Sequence, residues 1–391
     1  MSHAGVVIVG AGQGGVQAAI SLRQEGYSDP ITLIGAEPGL PYQRPPLSKA
    51  FLKTGEAEKL VLRPADFYSK KSITLRSSVT VDRIDRKSRK IYIGVETLPY
   101  DHLILATGTR NLVPPIAGVR GANGLRTLAD AQALRARLSA PTRIAVIGGG
   151  FIGLEFAAVA AFLGHQVHVA EAAPRLIARV LSPEMSEAFF RKHKDIGTHL
   201  HLGRGVTEVT EGSILLSDGT RIAADLVLLA AGVRPNVELA QDAGLTIANG
   251  IKVDAFLRTQ DANIFALGDC AAFPDPRTGA RIRLESVQAA TDHARAIAKT
   301  ITGTATPYRA VPWFWSDQAD WKLQIAGLAG PDDDAVRVDD QVILRFADGM
   351  LSAVETVNNA KVHMKARKLL AGSSPLTRDM LAAKDYDLTI V

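Results

Sequence analysis

The chain has 391 residues, of which 47% are hydrophobic and 22% charged, the profile of a soluble globular protein with two or three domains. A net charge of +5 admits an acidic protein partner, a membrane surface or nucleic acid, and without a long Lys/Arg block or zinc-type Cys/His spacing nucleic acid is the weakest of the three. No apolar run of about 18 residues is present, which argues against a spanning helix, and the single cysteine, Cys270, excludes an internal disulfide.

The chain opens Met1-Ser2-His3-Ala4-Gly5, without the basic start and apolar stretch of a signal peptide, so a cytoplasmic protein is expected. An apolar strand, Val6-Val7-Ile8-Val9, leads into Gly10-Ala11-Gly12-Gln13-Gly14-Gly15, a helical run from Val16 to Gln24, and the strand Ile31-Thr32-Leu33-Ile34. The apolar segment from His102 to Ala106 runs into Thr107-Gly108. The opening pattern then recurs as Ile144-Ala145-Val146-Ile147, Gly148-Gly149-Gly150-Phe151-Ile152-Gly153, a helical run from Leu154 to Leu163, and Val167-His168-Val169. A βαβ unit is written twice. Downstream, Ile214 to Ile222 reads as a hairpin turning at Asp218-Gly219, and Leu226 to Ala230 and Ile264 to Leu267 are apolar strands leading to Gly232 and Gly268-Asp269. A helix is expected from Thr291 to Ile301. After about residue 305, short strands (around 323–326, 335–338, 342–346 and 353–357) and a basic helix from Lys361 to Leu370 suggest a separate α+β domain.

Two glycine turns, each directly after a strand and opening a helix, are a far more specific signal than one. In each, the first glycine (Gly10, Gly148) permits the tight turn. The second (Gly12, Gly150) lets backbone approach a pyrophosphate, and the third (Gly15, Gly153) lets helix and strand pack closely. Helix N-termini then offer N–H groups to phosphate. A carboxylate roughly 20 residues on usually takes the ribose hydroxyls. Glu171 fills that place in the second unit, with no Arg or Lys directly beside it, so NADH is favoured over NADPH; Arg175 is the nearest cation. Glu37 is the ribose candidate of the first unit, and the alternative for it is a solvated turn residue.

Further segments carry a resemblance. Leu40-Pro41-Tyr42-Gln43-Arg44-Pro45-Pro46-Leu47-Ser48-Lys49 resembles the FAD-binding stretch of NADH-dependent ferredoxin reductases, which serve bacterial cytochrome P-450 and ring-hydroxylating dioxygenase systems. These belong to the FAD-dependent pyridine nucleotide-disulfide oxidoreductase superfamily. Ala106-Thr107-Gly108, Ala231-Gly232-Val233-Arg234-Pro235-Asn236, Leu267-Gly268-Asp269-Cys270-Ala271 and Pro312-Trp313-Phe314-Trp315-Ser316-Asp317-Gln318 match the same family in order. The last of these separates this branch from the disulfide reductases.

The resemblance implies an α/β fold of glutathione reductase type: two Rossmann-like dinucleotide-binding domains plus a C-terminal α+β domain. It places an FAD domain at 1–108 and 235–305, an NADH domain at 109–234 and the C-terminal domain at 306–391. It implies FAD contacts at Gly14, Arg44, Lys49, Val81, Thr107, Gly108, Arg126, Gly268, Asp269 and Val287, and NADH contacts that include Glu155 and Gly232. Lys49 resembles the lysine beside the flavin, where an ammonium stabilises the charge that arrives with hydride. Glu155 resembles its paired glutamate, and Trp315 is a candidate for stacking on flavin or nicotinamide, against the plainer reading of a core tryptophan. Many relatives carry an acidic residue where this chain has Ala36, so the ribose role of Glu37 rests on less than that of Glu171.

Cys270 reads as a small buried residue, because a redox pair needs a second cysteine. The Pro41-Tyr42 stretch lacks the single cysteine of water-forming NADH oxidases. With no disulfide relay, electrons are expected to leave one at a time to an external carrier. The resemblance names that carrier as an acidic [2Fe–2S] ferredoxin, steered by a basic reductase, with Arg295, Arg309 and the Lys361/Lys365/Arg367/Lys368 cluster as docking candidates. Neither metal, nucleic acid nor membrane is expected as a partner. Two alternatives stay open at this stage: a rubredoxin reductase, and a flavoprotein like apoptosis-inducing factor whose binding matters more than its turnover.

Overall fold

The computed structural model describes residues 4–372 and 374–390. The chain divides into two compact units. The first comprises the N-terminal segment up to Gln43, Glu58–Arg110 and Arg234–Ala310. The second comprises Arg44–Ala57, Asn111–Val233 and the chain from Val311 onward.

The first unit is built on a parallel sheet in the order Ile264–Ala266, His102–Leu105, Val6–Val9, Ile31–Ile34, Ile73–Arg76. The register sets Val6 against both Ile31 and His102. All four residues of Val6–Val9 are buried, as a strand covered on both faces requires, and this is why the stretch reads as an unbroken apolar run. Helix Gln13–Gln24 follows the first strand and packs on helix Val287–Ile301. A side chain at Gly14 would collide with Leu267 and meet Ala290, so this glycine lets the two helices approach. Ser286 caps the second helix by accepting from the Ala289 amide.

The second unit repeats the design. A parallel sheet runs His199–Leu202, Gln166–Glu171, Arg143–Ile147, Leu226–Leu229. Helix Phe151–Phe162 is apolar nearly all round, and Gly153 to Ala160 are all buried, because the helix packs on strand Gln166–Glu171, on the turn Pro45–Ser48 and on strand Trp313–Gln318. The C-terminal part of this unit is an antiparallel sheet in the order Trp313–Gln318, Trp321–Gly327, Met350–Val357, Val342–Ala347, Asp334–Arg337. Helix Ala360–Leu370 lies against it, capped by Asn359, over a core containing Leu344, Phe346, Val354 and Ala366.

The α/β class, the two glycine-turn βαβ units and the α+β C-terminal part agree with the sequence expectations. The sequence did not mark helices Leu128–Arg137 and Pro183–Asp195, although both carry start signals. Thr127 and Asp130 form a capping box, and Ser182 accepts from the Met185 amide with Pro183 in the first turn. Nor was Trp313–Gln318 read as a strand, since its aromatic and polar residues do not alternate cleanly. Among the described residues no helix is long and apolar enough to cross a membrane.

Candidate active site

Both glycine turns have the geometry that a pyrophosphate requires. Gly10 and Gly148 have φ of +114° and +112°, left-handed backbone that a side chain rarely adopts. A Cβ at Gly15 would lie 1.8 Å from the Gly10 carbonyl oxygen, and one at Gly153 would lie 2.2 Å from that of Gly148, so the third glycine closes each turn. At Gly12 and Gly150, by contrast, a Cβ would meet nothing within 4 Å. These two residues are also the N-caps of their helices, and no side chain caps either one. Open space in front of an uncapped helix N-terminus fits a phosphate group. Gly14 faces the neighbouring helix, so what it offers such a group is its backbone N–H.

In the second unit, Glu171 ends its strand beside the turn. Its carboxylate accepts from the Gly149 amide and from the Ala173 amide, each at 2.7 Å. It thereby braces the turn while keeping lone pairs for ribose hydroxyls. Arg175 donates to the Leu181 carbonyl at 2.5 Å and to Ser186 Oγ at 3.0 Å, so it is engaged in its own loop. Gly232 has φ of +103°, and a Cβ there would come within 3.9 Å of the Arg179 guanidinium.

In the first unit, the Glu37 carboxylate accepts from the Tyr42 hydroxyl. Val81 and Thr107 line one groove of about 370 Å³ together with Asn236 and Glu238. Thr107 donates to the Asn236 carbonyl at 2.7 Å, and the Asn236 amide returns a bond to the Thr107 carbonyl at 2.8 Å. Gly108 and Gly268 both have positive φ. Asp269, half-buried, accepts from Thr109 at 3.1 Å. The turn before it is held by His293, which is fully buried and whose Nδ1 accepts from the Gly268 amide at 3.2 Å. Val287 opens helix Val287–Ile301. Cys270 is completely buried, and burial pushes its thiol up, which suits packing and not redox chemistry.

The flavin-pair candidates, with Arg44 and Arg126, fall in the second unit. Arg44 donates to the Arg126 carbonyl at 2.7 Å, which brings these two together. Lys49 Nζ lies 3.1 Å from Glu155 Oε1 and 3.7 Å from Asp317 Oδ2. Helix Phe151–Phe162 carries Glu155 on a buried face, where only 5% of it is exposed. Its Oε2 accepts from Ser48 Oγ at 2.5 Å and its Oε1 from Ser316 Oγ at 2.7 Å. Burial pushes the Glu155 carboxyl up, opposed by the Lys49 ammonium and then by the two serine hydroxyls. Sequence reasoning found Lys49 and Glu155 but missed Ser48, Ser316 and Asp317. All three stand in quoted motifs, yet no spacing rule links them to Glu155.

Trp315 is half-buried and tilts against Trp313, centroid to centroid 5.4 Å. The docking candidates behave differently from one another. Arg295 is exposed and pairs with Asp292 at 3.0 Å; Arg309 is exposed. Lys361 and Lys368 are exposed, whereas the Arg367 guanidinium sits 4.5 Å over the Trp313 ring. Among the described residues there is no cluster of three or more His, Cys, Asp or Glu suited to a metal ion.

Residues 4–294 match the pyridine nucleotide-disulphide oxidoreductase family, and residues 313–391 match the reductase C-terminal family. Rhodocoxin reductase of Rhodococcus erythropolis is 47% identical, over 98% of this chain and 93% of that protein. The solved ferredoxin reductase for the CYP199A2 system from Rhodopseudomonas palustris superposes with a TM-score of 0.94 at 43% identity, covering 99% of each chain. The reductase in the covalent putidaredoxin reductase–putidaredoxin complex also superposes at 0.94, with 35% identity over 100% of this chain and 98% of that one. The protein is a member of the pyridine nucleotide-disulphide oxidoreductase family and carries that family's reductase C-terminal domain.

Proposed function

We propose that this protein is an NADH:ferredoxin oxidoreductase, which takes hydride from NADH and delivers electrons to a [2Fe–2S] ferredoxin feeding an oxygenase. The observation that carries the reading is the ion pair between Lys49 and the buried Glu155, in a chain with two pyrophosphate-ready glycine turns and a single inaccessible cysteine. FAD, when bound, takes two electrons as hydride and releases them one at a time.

The chain's own residues do the rest. Gly10, Gly12 and Gly15 shape the FAD pyrophosphate turn, with Glu37, Val81, Thr107, Gly108, Gly268, Asp269 and Val287 as further contacts in the first unit. Arg44, Lys49 and Arg126 are included in the proposal as FAD contacts. The turn Gly148–Gly153, with Glu171 and Gly232, takes NADH. Glu155 holds the Lys49 ammonium in place, and the ammonium favours added negative charge at its target. The domain division at 1–108 with 235–305, 109–234 and 306–391 belongs to the same proposal. So do a cytoplasmic location, a role for Trp315 beside the reacting rings, and docking of the acidic ferredoxin near Arg295 and Arg309.

The test is a steady-state assay with NADH and cytochrome c, with and without a panel of [2Fe–2S] ferredoxins and a rubredoxin. A ferredoxin should raise the rate severalfold, and added salt should weaken that stimulation. Prompt flavin reduction by NADH with no ferredoxin able to raise cytochrome c reduction would overturn the reading. Stimulation by rubredoxin alone would change the acceptor.

A further inference from the structure

Behind the Lys49–Glu155 pair runs a buried chain of hydrogen bonds to which the proposed reaction assigns no role. Ser316 Oγ, fully buried, donates to Glu155 Oε1 at 2.7 Å. The same oxygen accepts from Gln318 Nε2 at 3.0 Å. Gln318 Oε1 then lies 2.9 Å from Nε2 of His193, on helix Pro183–Asp195. Ser316, Gln318 and His193 are all 0% exposed, and every residue of the chain lies in the second unit.

The donor directions in this chain are determined. A hydroxyl has one proton to give. With the Gln318 amide N–H filling a lone pair of Ser316, the serine proton goes to Glu155. The opposite amide orientation would present Oε1 to Ser316, draw its proton away and leave the buried carboxylate one donor short. What holds the amide is His193. Nδ1 of His193 is buried without a partner. A proton there would be a stranded buried donor, whereas a lone pair there is the smaller penalty. The ring is therefore neutral with its proton on Nε2, where it donates to Gln318 Oε1. Burial and the nearby Lys192 hold the imidazole below its usual range, against the hydrogen bond to Gln318. Lys192 is itself paired with Asp320 at 2.5 Å.

We propose that Gln318 and His193 are positioning residues for the Lys49–Glu155 pair, acting through the Ser316 hydroxyl, whose single proton they direct to Glu155. This rests on the reading of that pair as the one serving the flavin. The charged groups facing the pair are Lys49 on Glu155 and Asp317 on Lys49. Loss of one donor to a buried carboxylate raises its protonation midpoint by about one pH unit, a tenfold change in the proton equilibrium.

The experiment uses the FAD-loaded full-length protein as wild type, Gln318→Leu, His193→Leu and His193→Gln, the last keeping an amide donor for Gln318. Infrared titration of the Glu155 carboxyl band, assigned by its loss in Glu155→Gln, reads the midpoint directly. It should rise by about one unit in His193→Leu, where the Gln318 amide is free to turn its oxygen to Ser316, return towards wild type in His193→Gln, and stay near wild type in Gln318→Leu, where nothing competes for the serine proton. Nitrogen-15 NMR of His193 should show the proton on Nε2. The rate of flavin reduction by NADH should acquire an acid limb displaced by the same amount. A Glu155 midpoint unmoved in folded, FAD-replete His193→Leu overturns the proposal, as does a proton on Nδ1. Should His193→Leu fail to fold, the NMR measurement and Gln318→Leu, where a raised midpoint would overturn the proposal, still decide. A wild type whose flavin is not reduced by NADH would sink the functional reading while leaving the infrared result to judge the network.

Discussion

Glu155 is a carboxylate with 5% exposure, tolerable only because an ammonium and two hydroxyls meet it. Replacing it with glutamine keeps the volume but turns one accepting oxygen into an NH2 donor and removes the charge that holds Lys49. Flavin reduction by NADH in Glu155→Gln should slow by roughly 10- to 100-fold, measured by stopped-flow absorbance, while bound FAD per chain is retained. An unchanged rate would remove Lys49–Glu155 from the mechanism. Glu171 offers a different test, because it is expected to touch substrate and not the reacting centre. Glu171→Ala should raise KM for NADH about tenfold with little change in kcat, and a change in kcat alone would contradict a ribose role. At this scale the sequence disclosed the charged residues and concealed their partners. Lys49, Glu155 and Glu171 are conspicuous as charges in apolar or glycine-rich company. Ser48, Ser316, Gln318 and His193 are ordinary polar residues until burial forces each to find a bond.

The two glycine turns were legible as elements, and their glycines are separable by experiment. Gly153→Ala would drive a methyl to within 2.2 Å of a carbonyl oxygen, so it should destabilise the protein by about 1–3 kcal/mol or more, read as a lowered Tm. Gly150→Ala places its methyl in open space. It should leave Tm of the NADH-free protein within about 1 °C, since a substitution that touches nothing changes stability little, yet weaken NADH binding. Equal effects from the two substitutions would mean that the turn is not a pyrophosphate cradle. Helix Phe151–Phe162 and strand Val6–Val9 were readable because burial on all sides leaves an unbroken apolar run. Strand Trp313–Gln318 was not, because one of its faces supplies Ser316 and Gln318 to a polar network in place of an apolar core.

Across the whole molecule, buried ionisable groups make stability depend on pH. Burial lowers His293 from 6.5 to about 3, and burial and Arg367 lower His363 from 6.5 to about 4; both are at most 1% exposed. Each is neutral when folded and takes up a proton on unfolding once the pH falls below 6.5. The stability they contribute is therefore complete above pH 6.5 and declines as the pH falls towards about 4, at about 1.4 kcal/mol per pH unit for each group. Tm should accordingly be lower at pH 5 than at pH 7, and His293→Gln, which keeps an acceptor for the Gly268 amide, should flatten part of that slope. A Tm independent of pH in this range would show that the two rings are not held neutral. A second test concerns Arg345 and Glu355, paired at 3.0 Å and both at most 1% exposed, with Glu355 also accepting from Ser182. Arg345→Met alone strands the carboxylate and should cost about 3–5 kcal/mol, whereas Arg345→Met with Glu355→Leu should recover most of it, as urea unfolding would report. The doubled glycine turn and the apolar pattern by themselves determined an α/β nucleotide-binding protein, because local backbone demands and the period of apolar residues are written along the chain; that it is of oxidoreductase type came from the resemblance its motif residues carry. Only the tertiary structure decided which polar side chains surround Glu155, that Arg175 and Arg367 are engaged elsewhere, and that His193 stands at the far end of the Glu155 network. Those partners lie far apart in sequence, and what joins them is the need of each buried donor and acceptor to be met.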